Sequence, residues 1–373
     1  MKRVIIVVLL CILVCSFSTV LFSCGNGEKE KEPTPTSNEY FSFELLAEGT
    51  YEIASKDDMI IPKDIVLPSE YEGVSVTSIA SYAFYDQKEL RSVYIPKSYI
   101  SIGNKAFEKC EKLSDVTLSS ALTEIGESAF ANCKSLKPLD LPDTILSIGE
   151  RAFQHCTLLN TSIPSGITEI KASAFSGCGG LINVEIPSNI TAIGDYAFSG
   201  CTNLIGVKIP SSVITIGAGA FSGCSSLKSV SIEEGVQNFG HSVFSNCTSL
   251  RKITMPNSII TMGGSLFYHC TLLEEVELSD SITEIKSATF EECYNLKSIT
   301  IPVSVRTIGT DAFRLARSLK EVYFNVNLRE IKMDAFTGCP LETVHFLGSE
   351  AEDQVDVYGG HRALHYANII YEG

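Results

Sequence analysis

Apolar and polar positions repeat along this chain in one frame, L-x-x-V-x-I-P-x-S-V-T-x-I-G-x-x-A-F-x-x-C. It is written most cleanly by Leu204, Val207, Ile209, Pro210, Val213, Ile216, Gly217, Ala220, Phe221 and Cys224. From the leucine to the isoleucine, apolar and polar residues alternate, which is the period of a β-strand with one face on a core. Each turn of the repeat is therefore expected to supply one short parallel strand. The proline that follows, as at Pro96, Pro187 and Pro302, has no N–H for a ladder and a fixed φ, so the strand should stop there. A second extended piece comes next, as in Val213 to Ile216, and Gly103, Gly126, Gly149, Gly194, Gly217 and Gly309 then allow a sharp corner. The Ala-Phe-x-x-Cys stretch is expected to be a helical turn that carries the chain back.

Twelve phenylalanines, from Phe84 to Phe336, recur at steps of 23 residues with a single step of 22 between Phe153 and Phe175. Self-similarity at such a period marks a solenoid, in which no unit buries its apolar face alone and each stacks on its neighbours. At a strand spacing of about 4.8 Å, the array predicts a rod on the order of 50 Å around a phenylalanine column. The short step locates its own deletion. Cys133 precedes Pro142 by nine positions but Cys156 precedes Pro164 by eight, so the residue is missing from the strand between Leu159 and Ile163. There Thr161 or Ser162 takes the place of the inward valine, and a local irregularity in the sheet is expected.

The chain has 373 residues and a formal net charge of −15, with no basic run after its amino terminus, which argues against nucleic acid or an anionic membrane surface as partner. Of 13 cysteines, ten stand three residues after a repeat phenylalanine. Equivalent positions on stacked turns point the same way, a poor geometry for disulfides, so these should form a column of small buried thiols. No C-x-x-C pair occurs, and no zinc site or cofactor is expected.

At the amino terminus Lys2 and Arg3 precede an apolar stretch from Val4 to Phe22 and then Ser23-Cys24-Gly25. That order is the pattern of a secretory signal. It resembles the lipobox of bacterial lipoproteins, which implies a signal peptide over 1–23 and a lipid on Cys24; a membrane-spanning anchor is the competing reading. Residues 24–38 are acidic and rich in proline and threonine, as in a disordered linker. The acidic run after the cysteine is similar to the signal that sends Bacteroidetes lipoproteins to the outer face of the outer membrane.

The I-P-x-S-V-T-x-I-G-x-x-A-F-x-x-C frame itself resembles the BspA-like leucine-rich repeat proteins. The resemblance implies a leucine-rich repeat solenoid of short parallel strands with helical or irregular return segments. Expected boundaries are 39–349 for the array, led by a capping hairpin from Phe41 to Ile53 across Glu48-Gly49, and 350–373 for a carboxy-terminal cap. Proteins of this kind act as adhesins, so the resemblance further implies binding to host matrix or plasma proteins such as fibronectin and fibrinogen, from an outer-membrane, surface-exposed position. The alternative is a structural or glycan-contacting envelope lipoprotein, which the absence of tryptophan disfavours.

Outward positions of the longer strand form one row: Tyr94, Thr117, Asp140, Ser162, Glu185, Lys208, Ser231, Thr254, Glu277, Thr300, Tyr323 and His345. The candidate ligand-binding residues are Tyr94, Glu185, Lys208, Glu277, Tyr323 and His345, with aromatic residues favoured because they enrich interfaces. The competing reading is a solvated face of mixed polar residues. His361 and His365 have the spacing of a helical metal pair but lack the glutamate of H-E-x-x-H, and no nucleophile with a base can be assembled from repeated positions. An enzyme is not expected.

Overall fold

The computed structural model describes residues 32–348, 355–357 and 362–372. The expected signal peptide, Cys24 and His361 lie outside the described residues. Thr34–Gly373 forms one compact unit. Among the described residues no helix is long and apolar enough to cross a membrane.

Ordered backbone is already fixed at Thr36, whose N–H donates to the Val66 carbonyl at 2.9 Å and whose hydroxyl accepts from the Val66 N–H. Phe41–Leu45 then pairs antiparallel with Tyr51–Ser55, and the second strand pairs parallel with Val74–Ile79. The hairpin thereby turns the chain into the parallel array. Phe41 is buried and meets Phe84, the first ring of the column, edge-on at 6.3 Å.

In the regular turns both extended pieces form parallel ladders, so such a turn contributes two strands where one was expected. On the longer-strand side, Asn183–Glu185, Gly206–Ile209 and Ser229–Ile232 stack with Val184 on Val207 on Val230. On the other side two-residue strands such as Ala192–Ile193, Thr215–Ile216 and Asn238–Phe239 align Ile193, Ile216 and Phe239. The second ladder forms because its isoleucine is as buried as the valine of the first, which anchors the backbone at both sides of the core. Corner glycines serve this close stacking and not a left-handed turn: a Cβ on Gly149 would lie 2.4 Å from the Glu127 backbone nitrogen, and on Gly217 2.5 Å from that of Asp195.

The return segments are not helical. Two residues before and two after each phenylalanine the backbone is left-handed, as at Tyr196 (φ 55°), Gly200 (φ 71°), Ser242 (φ 56°) and Asn246 (φ 60°). Such a conformation costs a residue with a Cβ on the order of 1 kcal/mol. In exchange, alternate N–H groups point at the next turn. Tyr196 donates to Ala218, Phe198 to Ala220 and Gly200 to Ser222, at 2.8, 2.8 and 2.7 Å. A helix would have spent these donors inside its own turn.

Inside this return ladder the twelve phenylalanine rings form an unbroken stack, with centroids 5.0–5.8 Å apart and planes within 14°. Burying each ring contributes roughly 1.5–3 kcal/mol. The ten repeat cysteines are free and buried. Each thiol donates to the phenylalanine carbonyl of the preceding turn, as Cys224 does to Phe198 at 3.2 Å and Cys247 to Phe221 at 3.3 Å. Burial raises these thiols, that of Cys224 to about 12, so they stay protonated as the hydrogen bond requires.

Around the short unit both sheets break. No strand forms over 137–146 or 160–168. Between buried Leu159 and Ile163 only Asn160, Thr161 and Ser162 remain, whereas Leu204 and Ile209 are separated by four residues with Val207 buried among them. The preceding turn contributes to the break, because Pro138 stands where a strand N–H should be.

Candidate binding face

The outward row exists, with its strands hydrogen-bonded as four short ladders. Tyr94 belongs to the sheet of Asp64–Val66, Ser92–Tyr94 and Asp115–Thr117. Glu185 and Lys208 are register partners on the next, Glu277 partners Thr254 on a two-stranded sheet, and Tyr323 partners His345 on the last. Asp140 and Ser162 fall in the strandless gap. Four of the six candidate residues are thus brought into two pairs on different sheets, while Glu277 and Tyr94 each stand apart from the other candidates.

Charges on this face are mostly neutralised along the array. Lys208 lies across from Glu185 in register, yet its ammonium bonds Glu233 at 2.7 Å, which raises the lysine and lowers the Glu233 carboxyl. Lys252 holds Glu275 and Glu277 at 3.1 Å each, and the hydrogen bond from this lysine is the main cause that lowers Glu277. Exposed pairs of this kind contribute little to stability.

The carboxy-terminal rung differs. Tyr323 and His345 stack face to face at 4.2 Å and 11°, and Ile370 continues the row in register after His345. His345 Nδ1 sits 2.7 Å from a Glu372 carboxylate oxygen, and the Tyr323 hydroxyl donates to Glu321 at 3.3 Å. Both rings are therefore held in place before any partner arrives.

A second aromatic cluster, on the return side, escaped the alternation analysis because that analysis follows strands only. His269 Nδ1 lies 2.7 Å from Glu292, Arg314 bonds Glu291 at 2.6 Å, and the Arg317 guanidinium stands 5.0 Å over the Tyr294 ring. The histidine hydrogen bond is the main cause that lowers the Glu292 carboxyl. The visible signal was Tyr268 and His269 at the two positions after Phe267, where the turns of Phe175, Phe198 and Phe221 carry serine and glycine. The thiols add no chemistry here, since burial keeps them from becoming thiolates. His365 lies on the five-residue helix Arg362–Tyr366.

The chain is similar in sequence and fold to a leucine-rich repeat protein from Bacteroides ovatus, 28% identical over 90% of this chain and 98% of that one, with a TM-score of 0.63. A leucine rich cell surface protein from Faecalibacterium prausnitzii is 25% identical over 88% of this chain and 99% of its own, with a TM-score of 0.51. The pneumococcal vaccine antigen PcpA shares the fold at 18% identity and a TM-score of 0.54, over 91% of this chain and 99% of that one. No curated protein matches the chain. The model of the BspA type leucine rich repeat region matches residues 63–181, 147–273 and 241–354, which together span most of the sequence. This chain belongs to the BspA type leucine-rich repeat family.

Proposed function

We propose that this protein is held by a lipid on Cys24 at the outer face of the outer membrane and binds a partner protein, in an adhesive role, through the longer-strand face. The observation that carries the reading is the Tyr323–His345 stack with Ile370 beside it, an aromatic and apolar patch on the outward row of a binding scaffold. Aromatic anchors with few degrees of freedom dominate protein interfaces. A relative described as a cell surface protein supports the location.

Full-length protein passed over immobilised fibronectin and fibrinogen tests the partner class. Replacing Tyr323 and His345 together by alanine should weaken binding about tenfold or more, the loss of one interface anchor. Tyr94→Ala, on a separate sheet, should leave it unchanged. Undiminished binding by the double variant removes the patch from the site. Incorporation of radiolabelled palmitate by the wild type but not by Cys24→Ala supports the anchor, and an unlabelled wild type would refute it.

A further inference from the structure

A periodic surface offers the same contacts on every rung, so recognition of one partner sequence needs a place where the period fails. The short unit is one such place, and there two successive turns lack the longer strand. Where the longer-strand ladder is interrupted, a groove of about 730 Å³ opens, lined by Pro138, Asp140, Thr161, Ser162, Glu185 and Pro187, with buried Ile163 and Ile186 at its floor. The backbone of Thr161 and Ser162 has no partner strand, because the missing residue leaves Leu159 to Ile163 too short to pair with Asn183–Glu185.

Charge and exposure make the groove specific. Asp140 and Glu185 form no ion pair among the described residues, although Lys208 stands next to Glu185 in register and spends its charge on Glu233. Elsewhere on this face the acids of Asp115, Glu233, Glu274, Glu275, Glu277 and Glu342 are paired with lysine or arginine. Beside the groove, Leu158, Ile182 and Ile205 are 57%, 46% and 42% exposed, and the last two are bonded neighbours, Ile205 N–H to Ile182 carbonyl at 2.9 Å. Arg91, Lys137, Lys228, Arg251, Lys297 and Lys320 fill the Ile182 and Ile205 position in other turns.

We infer that this groove receives an extended peptide segment of the partner protein, with a lysine or arginine directed at Asp140 and Glu185 and an adjacent apolar side chain laid on Leu158, Ile182 and Ile205. The phenylalanine rings beneath remain 5.6 Å apart across the short unit, so the turns do not part widely enough to admit a whole strand between them. Side chains enter, while the peptide backbone lies across the gap. This inference rests on the protein-binding reading and adds the sequence that is read.

The test is a selection of random displayed peptides on the full chain, followed by affinity measurement of the enriched peptides. Enriched peptides should carry lysine or arginine next to an apolar residue. Their binding should fall about tenfold with Asp140→Asn and Glu185→Gln combined, the loss of one charge-assisted contact. A valine inserted between Thr161 and Ser162 touches neither carboxylate but restores the regular strand, and should abolish binding while raising the melting temperature. No enrichment, enrichment without basic residues, or binding retained by either variant overturns the inference. If the variants still bind fibronectin or fibrinogen like the wild type, the groove fails and the general binding reading survives.

Discussion

The turns from Asn183 to Phe244 and the turns on either side of Phe153 and Phe175 are built from the same frame, yet their turns are joined differently. In the regular stretch three ladders link each turn to the next, two of strands and one of return segments. Between the Phe153 and Phe175 turns the two strand ladders are lost, except for a single Leu139 N–H to Asn160 carbonyl bond at 3.2 Å. The return side does not register the break. Phe153 donates to Ala174 at 2.9 Å, the rings stack at 5.6 Å, and Cys178 donates to Phe153 at 3.1 Å. Continuity of the array resides in the phenylalanine and cysteine side, and the strand faces can vary because of it.

The largest test of that division is alkali, which reaches the return side through its ten buried thiols. Burial holds Cys110, Cys224, Cys270 and Cys339 at about 12 and raises the other six repeat thiols as well, against about 8.5 in an unfolded chain. Below the unfolded value both states keep the proton and the stability is intact. Above it the unfolded chain releases protons that the folded chain retains, so stability falls by about 1.4 kcal/mol per pH unit for each thiol until the folded value is reached. Several thiols acting together should unfold the array within about one to two pH units above the free-thiol value, since a domain has only about 5–15 kcal/mol. Circular dichroism against pH reads this out. Cys224→Ala should flatten the slope by about 1.4 kcal/mol per unit. A protein that keeps its signal well above pH 11 would show that the thiol column does not carry the stability.

Removing rings is next in size. Phe221→Ala, in the regular stretch, should cost about 3–5 kcal/mol. Phe175→Ala should cost a similar amount but also broaden the urea transition and lower its slope, because there the ring stack is the main link between two halves of a nearest-neighbour array. Equal slopes for both variants would mean that the strand faces bind the halves together after all.

The contrast also explains what could be read from the sequence. Phe221 and Cys224 occupy positions that admit almost one residue type, so periodicity alone exposes the column, the thiols and the solenoid. The left-handed residues two places from each ring were hidden because side chains there face outward and vary, from Lys105 and Arg151 to Leu315. A trace of them was Gly177, Gly200, Gly223 and Gly338 after the ring and Gly219 before it, residues that take such a φ freely. The outward row followed from alternation, but alternation cannot show where a ladder stops. Pro138, an N–H missing from the first strand position, was the readable sign of the gap that the deletion at Thr161 and Ser162 completes.

Repairing the strand is a smaller effect. Valine inserted between Thr161 and Ser162 should bury about as much as Val184 or Val207 and restore ladder bonds to Asn183–Glu185. The gain should be about 1–3 kcal/mol, seen as a higher urea midpoint and slower amide exchange at Asn183–Glu185. The return side should be indifferent, with the exchange of Phe153 and Phe175 amides unchanged. Faster exchange there would mean that the strand and return sides are mechanically coupled and that the short unit relieves a mismatch between them.

The smallest effect isolates the thiol bond itself. Ala316 stands where ten other turns have a cysteine, so the Phe290 carbonyl lacks the thiol donor that Phe267 and Phe313 receive from Cys293 and Cys339, at 3.2 and 3.0 Å. Its carbonyl still accepts the Cys293 N–H at 3.2 Å, so the site is not an orphan, only one bond poorer than its neighbours. Ala316→Cys should therefore stabilise by about 0.5–1.5 kcal/mol, and Cys224→Ala should cost about that or slightly more because it also leaves a cavity. A third change separates bond from volume: Ala316→Val fills similar space without a donor. If valine matches cysteine at position 316, packing and not the S–H to carbonyl bond accounts for the repeated cysteine. If only cysteine stabilises, the polar ladder that threads the return side is itself part of what keeps consecutive turns in register where the sheets let go.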